Sequence, residues 1–369
     1  MILLGADTHK HTHTLAAIDA PNGQLLDDKT IPASKTGFVE LLDWARDLGD
    51  PERVWALEDC RHLTGPLERF LTGTGERVIR VPPNLTARER GQERARGKSD
   101  PIDARAIARA ALREGIDTLP AAHLDAGSLE IKLLLDHRED LTKACSQDQQ
   151  RLRWHLHDLW PELKIPAGAL DRAVWLERIA RKLTRAEHCA RVRIARELVR
   201  ALKQQTRRTR ELAREITTLV EVKAPQLLEL TGCGALTAAK IIAEIAGVGR
   251  FSSDAKLARL AGVAPIPASS GKNSRHRLDR GGNRQLNCAL HRIAVVQGRT
   301  HEPARTFLAK KETEGKTRRE ALRALKRHLA RVVWRALQQA AGGQEATRPP
   351  ETSLPTGLRP EPESTPALT

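Results

Sequence analysis

Two short apolar runs that each stop on an acid constrain this chain's fold more than any other feature. Ile2–Asp7 opens the sequence as Ile-Leu-Leu-Gly-Ala-Asp, and Val54–Glu58 follows as Val-Trp-Ala-Leu-Glu. Uninterrupted apolar runs of this length read as buried strands, the kind found where helices cover a sheet on both sides. Around them the pattern changes period. His13–Asp19 is a second apolar run, Pro21-Asn22-Gly23 turns the chain, and Gln24–Pro32 reads as a third strand. Phe38–Leu48 has helical spacing (Phe38, Leu41, Leu42, Trp44, Ala45, Leu48), Leu63–Leu71 predicts a second helix, Arg77–Val81 a further strand and Asp100–Arg113 a third helix.

The order β-β-β-α-β-α-β-α is that of the ribonuclease-H-like fold, so residues 1–120 are expected to form an α/β domain of that class. From 121 to 222 the sequence is charged and helix-favouring. Apolar residues recur at Ala195, Leu198 and Leu202 and again at Leu212, Ile216 and Leu219, which predicts long antiparallel or coiled helices, broken near Pro161–Pro166. Residues 223–340 read as a second, Gly-punctuated helical domain, and 341–369, rich in Pro, Thr, Glu and Gly, as a disordered tail. At the start of that C-terminal domain, Leu230-Thr231-Gly232-Cys233-Gly234 fits either a helix-hairpin-helix turn whose backbone amides approach phosphate or an ordinary glycine-capped turn.

Three segments place acids where a ribonuclease-H-like fold can use them. Asp7 ends the first strand and Glu58 ends another, while Asp100 and Asp103 stand three apart at the start of a helix and share one face of it. Acids converging from strand ends and a helix form an oxygen cage for two Mg²⁺ ions, which can stabilise the attacking and leaving oxygens of a phosphodiester. Each acid also has a plain structural reading. Asp7 suits a strand-end turn, and Asp100 before Pro101 suits a helix N-cap with Asp103 against the helix dipole. Asp59 competes with Glu58 for the second position, although strand alternation puts the two on opposite sides.

Charge narrows the function classes. The chain carries 62 Lys+Arg against 46 Asp+Glu, a net charge of +16, and a soluble protein with that imbalance meets a polyanion, with nucleic acid the first candidate. No stretch has the length of a membrane span, and the N-terminus has no signal-peptide pattern. The five cysteines are scattered without a CxxC or zinc spacing, which fits reduced thiols and a cytoplasmic, nucleoid-associated protein. Tyrosine is absent, so no tyrosine of this chain can be the nucleophile of a DNA strand transfer.

A second constellation lies near the C-terminus. Ala261-Gly262-Val263-Ala264-Pro265-Ile266-Pro267 leads into Ala268-Ser269-Ser270-Gly271-Lys272, followed by Arg275, His276, Arg277, Arg280 and Gly281-Gly282-Asn283-Arg284. A serine hydroxyl held among fixed cations could attack a backbone phosphate. Alternatively, the loop only grips phosphates. Arg94, Arg96 and Lys98 before Asp100, with Lys272, Arg275, Arg277, Arg280 and Arg284, are the candidate nucleic-acid contacts.

Gly5-Ala6-Asp7-Thr8-His9-Lys10, Ala56-Leu57-Glu58-Asp59 with Thr64-Gly65, and Lys98-Ser99-Asp100-Pro101-Ile102-Asp103-Ala104 together resemble the D, E, D, D pattern of DEDD insertion-sequence transposases, over nearly the whole chain up to about Leu337. Glu58-Asp59-Cys60 departs from the family, which more often has alanine and threonine after the glutamate. The resemblance implies a RuvC-like N-terminal domain with Mg²⁺ (or Mn²⁺) at Asp7, Glu58, Asp100 and Asp103. In the C-terminal transposase domain it puts Ser270, before Gly271, on the serine thought to form a covalent 5′-phosphoserine bond with DNA. It also implies a structured guide (bridge) RNA and a dimer or tetramer. The two halves of the site lie on distant segments of one chain, which with the long helical middle fits an oligomer in which one subunit's serine meets another's carboxylates; the sequence alone only permits it. Two other functions remain: a structure-selective nuclease in which water attacks, and a nucleic-acid-binding protein without catalysis.

Overall fold

The computed structural model describes residues 1–58, 61–90, 99–122, 125–268, 276–277, 279 and 281–346. The N-terminal strands are β1 (Ile2–Thr8), β2 (Thr12–Asp19) and β3 (Leu25–Pro32). Next come helix α1 (Lys35–Asp47), β4 (Arg53–Glu58), α2 (Arg61–Gly73), β5 (Arg77–Val81), α3 (Pro83–Arg90) and α4 (Asp100–Glu114). The sheet order is β3-β2-β1-β4-β5, with β1, β2 and β3 antiparallel in sequence and β4 and β5 parallel to β1. That is the ribonuclease-H-like topology. The element order expected from the sequence, β-β-β-α-β-α-β-α, is the one found, with α3 as an addition.

Alternation along the strands sorts the core into two faces. Ile2, Leu4, Ala6, Trp55 and Leu57 pack with α1 and α2 residues such as Phe38, Leu41, Leu67 and Leu71. Leu3, Val54 and Ala56 face the other way, onto Ile107, Ala108, Ala110 and Ala111 of α4. Gly5, Asp7 and Glu58 have the parity of this second face. The edge beyond β5 is closed by the segment after α4: Ala122 N–H donates to Val78 O, and Arg80 N–H to Pro120 O.

Beyond the sheet the chain is helical: α5 (Ala126–Leu159), α6 (Ala173–Thr184), α7 (Ala190–Lys223), α8 (Ala235–Ile245), α9 (Asp254–Leu260), α10 (Arg284–Thr300), α11 (Glu302–Thr313) and α12 (Arg318–Ala346), with a two-residue hairpin, β6 (Ile266–Pro267) and β7 (His276–Arg277), between α9 and α10. α5 and α7 each run 34 residues, roughly 50 Å at helical rise. They are antiparallel: the start of α5 meets the end of α7, where Lys223 Nζ lies 2.8 Å from Asp125 Oδ1. One end of the pair joins α6 in a cluster of Leu152, Leu156, Leu176, Ile179, Val192 and Val199. The other end, with Ile131, Leu135, Ile216 and Val220, belongs to the core built with α8 to α12.

Two polar contacts join this core to the first domain: Lys256 Nζ donates to Asp117 O (2.7 Å), and Arg259 reaches Glu114 (3.4 Å). No helix among the described residues is long and apolar enough to cross a membrane. The Gly232–Gly234 turn is a packing element. A single 3-10 turn, Pro225–Leu227, precedes it, and a Cβ on Gly232 (φ +84°) would stand 2.9 Å from Val296 of α10. The ordinary glycine-capped turn is therefore the reading the structure supports.

Candidate active site

Asp7 closes β1 and is buried, 8% exposed. On β1's other side from β2, Ala6 pairs with Leu57, so the next residues along these parallel strands, Asp7 and Glu58, end the two strands side by side. Glu58 shares Asp7's face by parity; its rival Asp59 lies outside the described residues. Helix α4 delivers the other two acids. Its N-cap is Ser99 (φ −144°, ψ 149°), not Asp100, and Asp100 and Asp103 both lie in the first turn. Asp103 is buried at 7% exposed, whereas the Asp100 side chain is half open. Asp100 is therefore not the cap, while the helix dipole favours a negative charge at both positions.

Gly5 brings α4 this close. A Cβ there would collide with the Ala104 carbonyl oxygen and come within 2.5 Å of the Ala108 amide nitrogen, so the α4 backbone rests directly on β1. The four carboxylates then share one electrostatic field. Burial pushes the Asp7 carboxyl above its ordinary pKa. His9 opposes that rise, and the charges of Asp103, Asp100 and Glu58 add to it. His9, unassigned in the sequence reading, has Nε2 3.2 Å from Asp7 Oδ2 and 3.5 Å from Asp100 Oδ1.

Asp7 Oδ2 nevertheless has no aligned hydrogen-bond donor although it is fully buried. Asp7, His9 and Asp100 each offer a ligand atom within 4.8 Å of the others. A buried Asp7 oxygen without an aligned hydrogen bond, beside the exposed Asp100 carboxylate and the His9 ring, is a donor set a divalent cation can take. The residues fit a metal.

The family profile for DEDD transposases of IS110 type matches residues 4–161, a span that begins before Asp7 and ends after Asp103, and the profile described as transposase of the IS116/IS110/IS902 family matches residues 224–309. The chain belongs to the IS110 family of transposases. It is an enzyme of DNA recombination whose N-terminal domain has the ribonuclease-H-like strand order. It is 26% identical over 382 residues to the insertion element IS116 uncharacterized 44.8 kDa protein of Streptomyces clavuligerus, covering 91% of this chain and 94% of that one. Against the IS900 uncharacterized 42 kDa protein of Mycobacterium paratuberculosis it is 26% identical over 392 residues, 93% and 97% of the two chains. Against the IS110 uncharacterized 43.6 kDa protein of Streptomyces coelicolor the identity is 27% over 385 residues, 91% and 94%. The solved structure of T. thermophilus RuvC in complex with a Holliday junction substrate matches 33% of this chain and 99% of its own, at 16% identity and a TM-score of 0.26. The fold assignment rests on the strand order.

In this transposase, Ser269, Ser270, Lys272, Arg275 and Arg280 lie outside the described residues, as do Arg94, Arg96 and Lys98. Arg277 and Arg284 are exposed, on β7 and at the first residue of α10. The base of the serine segment is described. Ile266 pairs with Arg277 and Pro267 with His276, so the two arms leave a common root. Below it the arms cross: a Cβ on Gly282 would collide with Gly262 and stand 2.9 Å from the Ala261 carbonyl carbon.

Asn287 Nδ2 donates to Ala261 O (2.8 Å), Asn283 N–H to Leu260 O (2.6 Å), and the Asn283 side chain both caps α10 and donates to Glu244 (2.5 Å). Gly282 and Asn283, which the sequence reading grouped with a DNA-gripping basic stretch, are therefore the bolts of the loop. Their only sequence signal was a Gly-Gly-Asn just before an apolar helical pattern, a cap signature.

Proposed function

We propose that this transposase cuts and rejoins DNA with two cooperating halves, a divalent-metal site at Asp7, Glu58, Asp100 and Asp103 and a nucleophile at Ser270. The observation that carries the reading is Asp7: a carboxylate whose pKa is raised by burial and further by Asp103, Asp100 and Glu58, and whose Oδ2 accepts no aligned hydrogen bond, is costly unless a cation occupies the site. Mg²⁺, or Mn²⁺, bound there supplies charge neutralisation to the scissile phosphate.

The chain's own part is geometric. β1 and β4 fix Asp7 and Glu58, and Gly5 seats α4 so that Asp103 lies inside and Asp100 at the rim. The root at Ile266–Arg277 and the Gly262–Gly282 crossing aim the serine loop. Ser270 Oγ forms a bond to phosphorus as the 3′ oxygen leaves, and the serine proton ends on that 3′ hydroxyl. The phosphoester energy stays in the protein–DNA bond, so a second 3′ hydroxyl can reverse the step on a new partner without a nucleotide cofactor.

A structured guide RNA selects the partners, as in the family the chain resembles, and a net charge of +16 suits a protein that holds two polyanions. The functional units are 1–120, 121–222 and 223–346; helix α12 runs to Ala346, six residues into the stretch the sequence reads as a tail. The active form is a dimer or tetramer in which one subunit's serine meets another's carboxylates, and the enzyme works in the cytoplasm at the nucleoid. The test is strand cleavage in Mg²⁺: Asp7→Ala, Asp100→Ala and Asp103→Ala should each abolish it while DNA binding persists. Cleavage at wild-type rates by all three would refute the metal site.

A further inference from the structure

Beside the serine loop, between its two arms and the α11–α12 hairpin, lies an open cavity of about 720 Å³, within the roughly 300–1,000 Å³ of a small-ligand pocket. Its walls hold six Lys and Arg against three acids. The acids are engaged. Glu314 pairs with Lys311 at 2.7 Å, Glu320 accepts from the Thr317 amide and lies 3.6 Å from Arg323, and Asp279 accepts from the Gly281 amide. Arg277 and Lys316, both exposed, make no ion pair within 4 Å among the described residues, although the Lys316 charge acts on Glu314. The deepest cation is Lys326, only 7% exposed, whose one hydrogen-bond acceptor is the neutral amide oxygen of Asn287 at 2.8 Å. Burial, with Arg323 next to it, holds the Lys326 ammonium below its ordinary pKa.

A buried ammonium without a carboxylate is expensive, and proteins retain one where a ligand brings the counter-charge. Asn287 is also the residue that holds the Ala261 and Gly262 carbonyls, so Lys326 sits one residue behind the crossing that supports the serine loop. We propose that this cavity binds the phosphodiester backbone of the DNA strand being cut, with Lys326 at its floor and Arg277 and Lys316 at its mouth. The assignment of the strand rests on the serine reading; the anion site does not.

The probe is the 5′-phosphorylated thymidine dinucleotide pTpT, small enough to ignore the rest of the basic surface. Titrated calorimetrically into the full chain, it should bind one saturable site per chain and raise the unfolding temperature. Lys326→Met should weaken it by at least about tenfold. Because that buried substitution can disturb folding, the rim variant Arg277→Ala/Lys316→Ala is measured beside it and should show a comparable loss with an unchanged unfolding temperature. Ser270→Ala should bind pTpT as wild type does, so failure of the nucleophile leaves this result standing. Unsaturable binding by wild type, wild-type affinity in the rim variant, or a preference for the ribonucleotide pUpU would each overturn the proposal.

Discussion

Gly5 of β1 and Ala104 of α4 meet backbone to backbone: the space a Gly5 Cβ would need is occupied by the Ala104 carbonyl oxygen. The carboxylate site depends on this contact, because α4 carries Asp100 and Asp103 and Gly5 is the one glycine of β1. Gly5→Ala should push α4 outward and cost about 1–3 kcal/mol of stability, the usual range for overpacking. Urea unfolding measures the loss. Strand cleavage should fall further than stability does, since a shift of about 1 Å in the acids costs on the order of a hundredfold.

Removing the Asp7 charge should stabilise the metal-free protein. The folded-state pKa of Asp7 is raised, so its ionised form opposes folding, and that penalty grows as pH rises through the carboxylate range and then levels off. Asp7→Asn should therefore melt above wild type at neutral pH in EDTA and match it more closely in acid. With Mg²⁺ the order should reverse, because only wild type gains from the ion. An Asp7→Asn protein that melts below wild type in EDTA would contradict the crowded-acid account.

Asp125 carries the opposite sign. Burial pushes its carboxyl up, but hydrogen bonds from Lys223 and from the Ser128 amide and hydroxyl pull it further down, to a net lowered pKa. Its contribution is present at neutral pH and lost as pH falls through the acid range. Asp125→Ala, which removes both the α5 N-cap and the tie to the end of α7, should cost roughly 1–3 kcal/mol at neutral pH and much less in acid. Thermal unfolding of both proteins at the two pH values checks it.

At the other half of the site, Gly282→Ala should open the crossing with Gly262 and displace the root of the serine loop. Overpacking again sets the stability cost at about 1–3 kcal/mol. DNA affinity, dominated by distributed phosphate contacts, should change little. Equal activity in Gly282→Ala and wild type would mean that the crossing does not aim the loop.

The sheet was legible because β1 and β4 are short continuous apolar runs, as strands buried on both faces are. Helix α3 was not, since Leu85 is the one large aliphatic residue in Pro83–Arg90 and no apolar stripe forms. The acids were legible as types at strand ends. Which face they occupy followed from parity, but the closeness of α4 did not, because nothing in Gly5's neighbourhood in sequence names Ala104 as its partner. His9 is hidden for a related reason: it sits just past the strand and reaches Asp7 and Asp100 only once β1 and α4 are packed. Ser99 rather than Asp100 as the cap is a one-residue shift between two good capping types. Lys326 reads in sequence as another polar position of an amphipathic helix, and only its burial against Asn287 marks it out.

The joint use of both halves of the site is tested most directly by trapping the covalent protein–DNA adduct on a suicide substrate, denaturing it, and following label on the protein. Wild type in Mg²⁺ should give the adduct and Ser269→Ala should keep at least part of it. Ser270→Ala should give none while still binding DNA and metal, and Asp7→Ala should also give none although its serine is intact. An adduct from Ser270→Ala, or none from wild type under conditions where it cleaves DNA, would contradict the account.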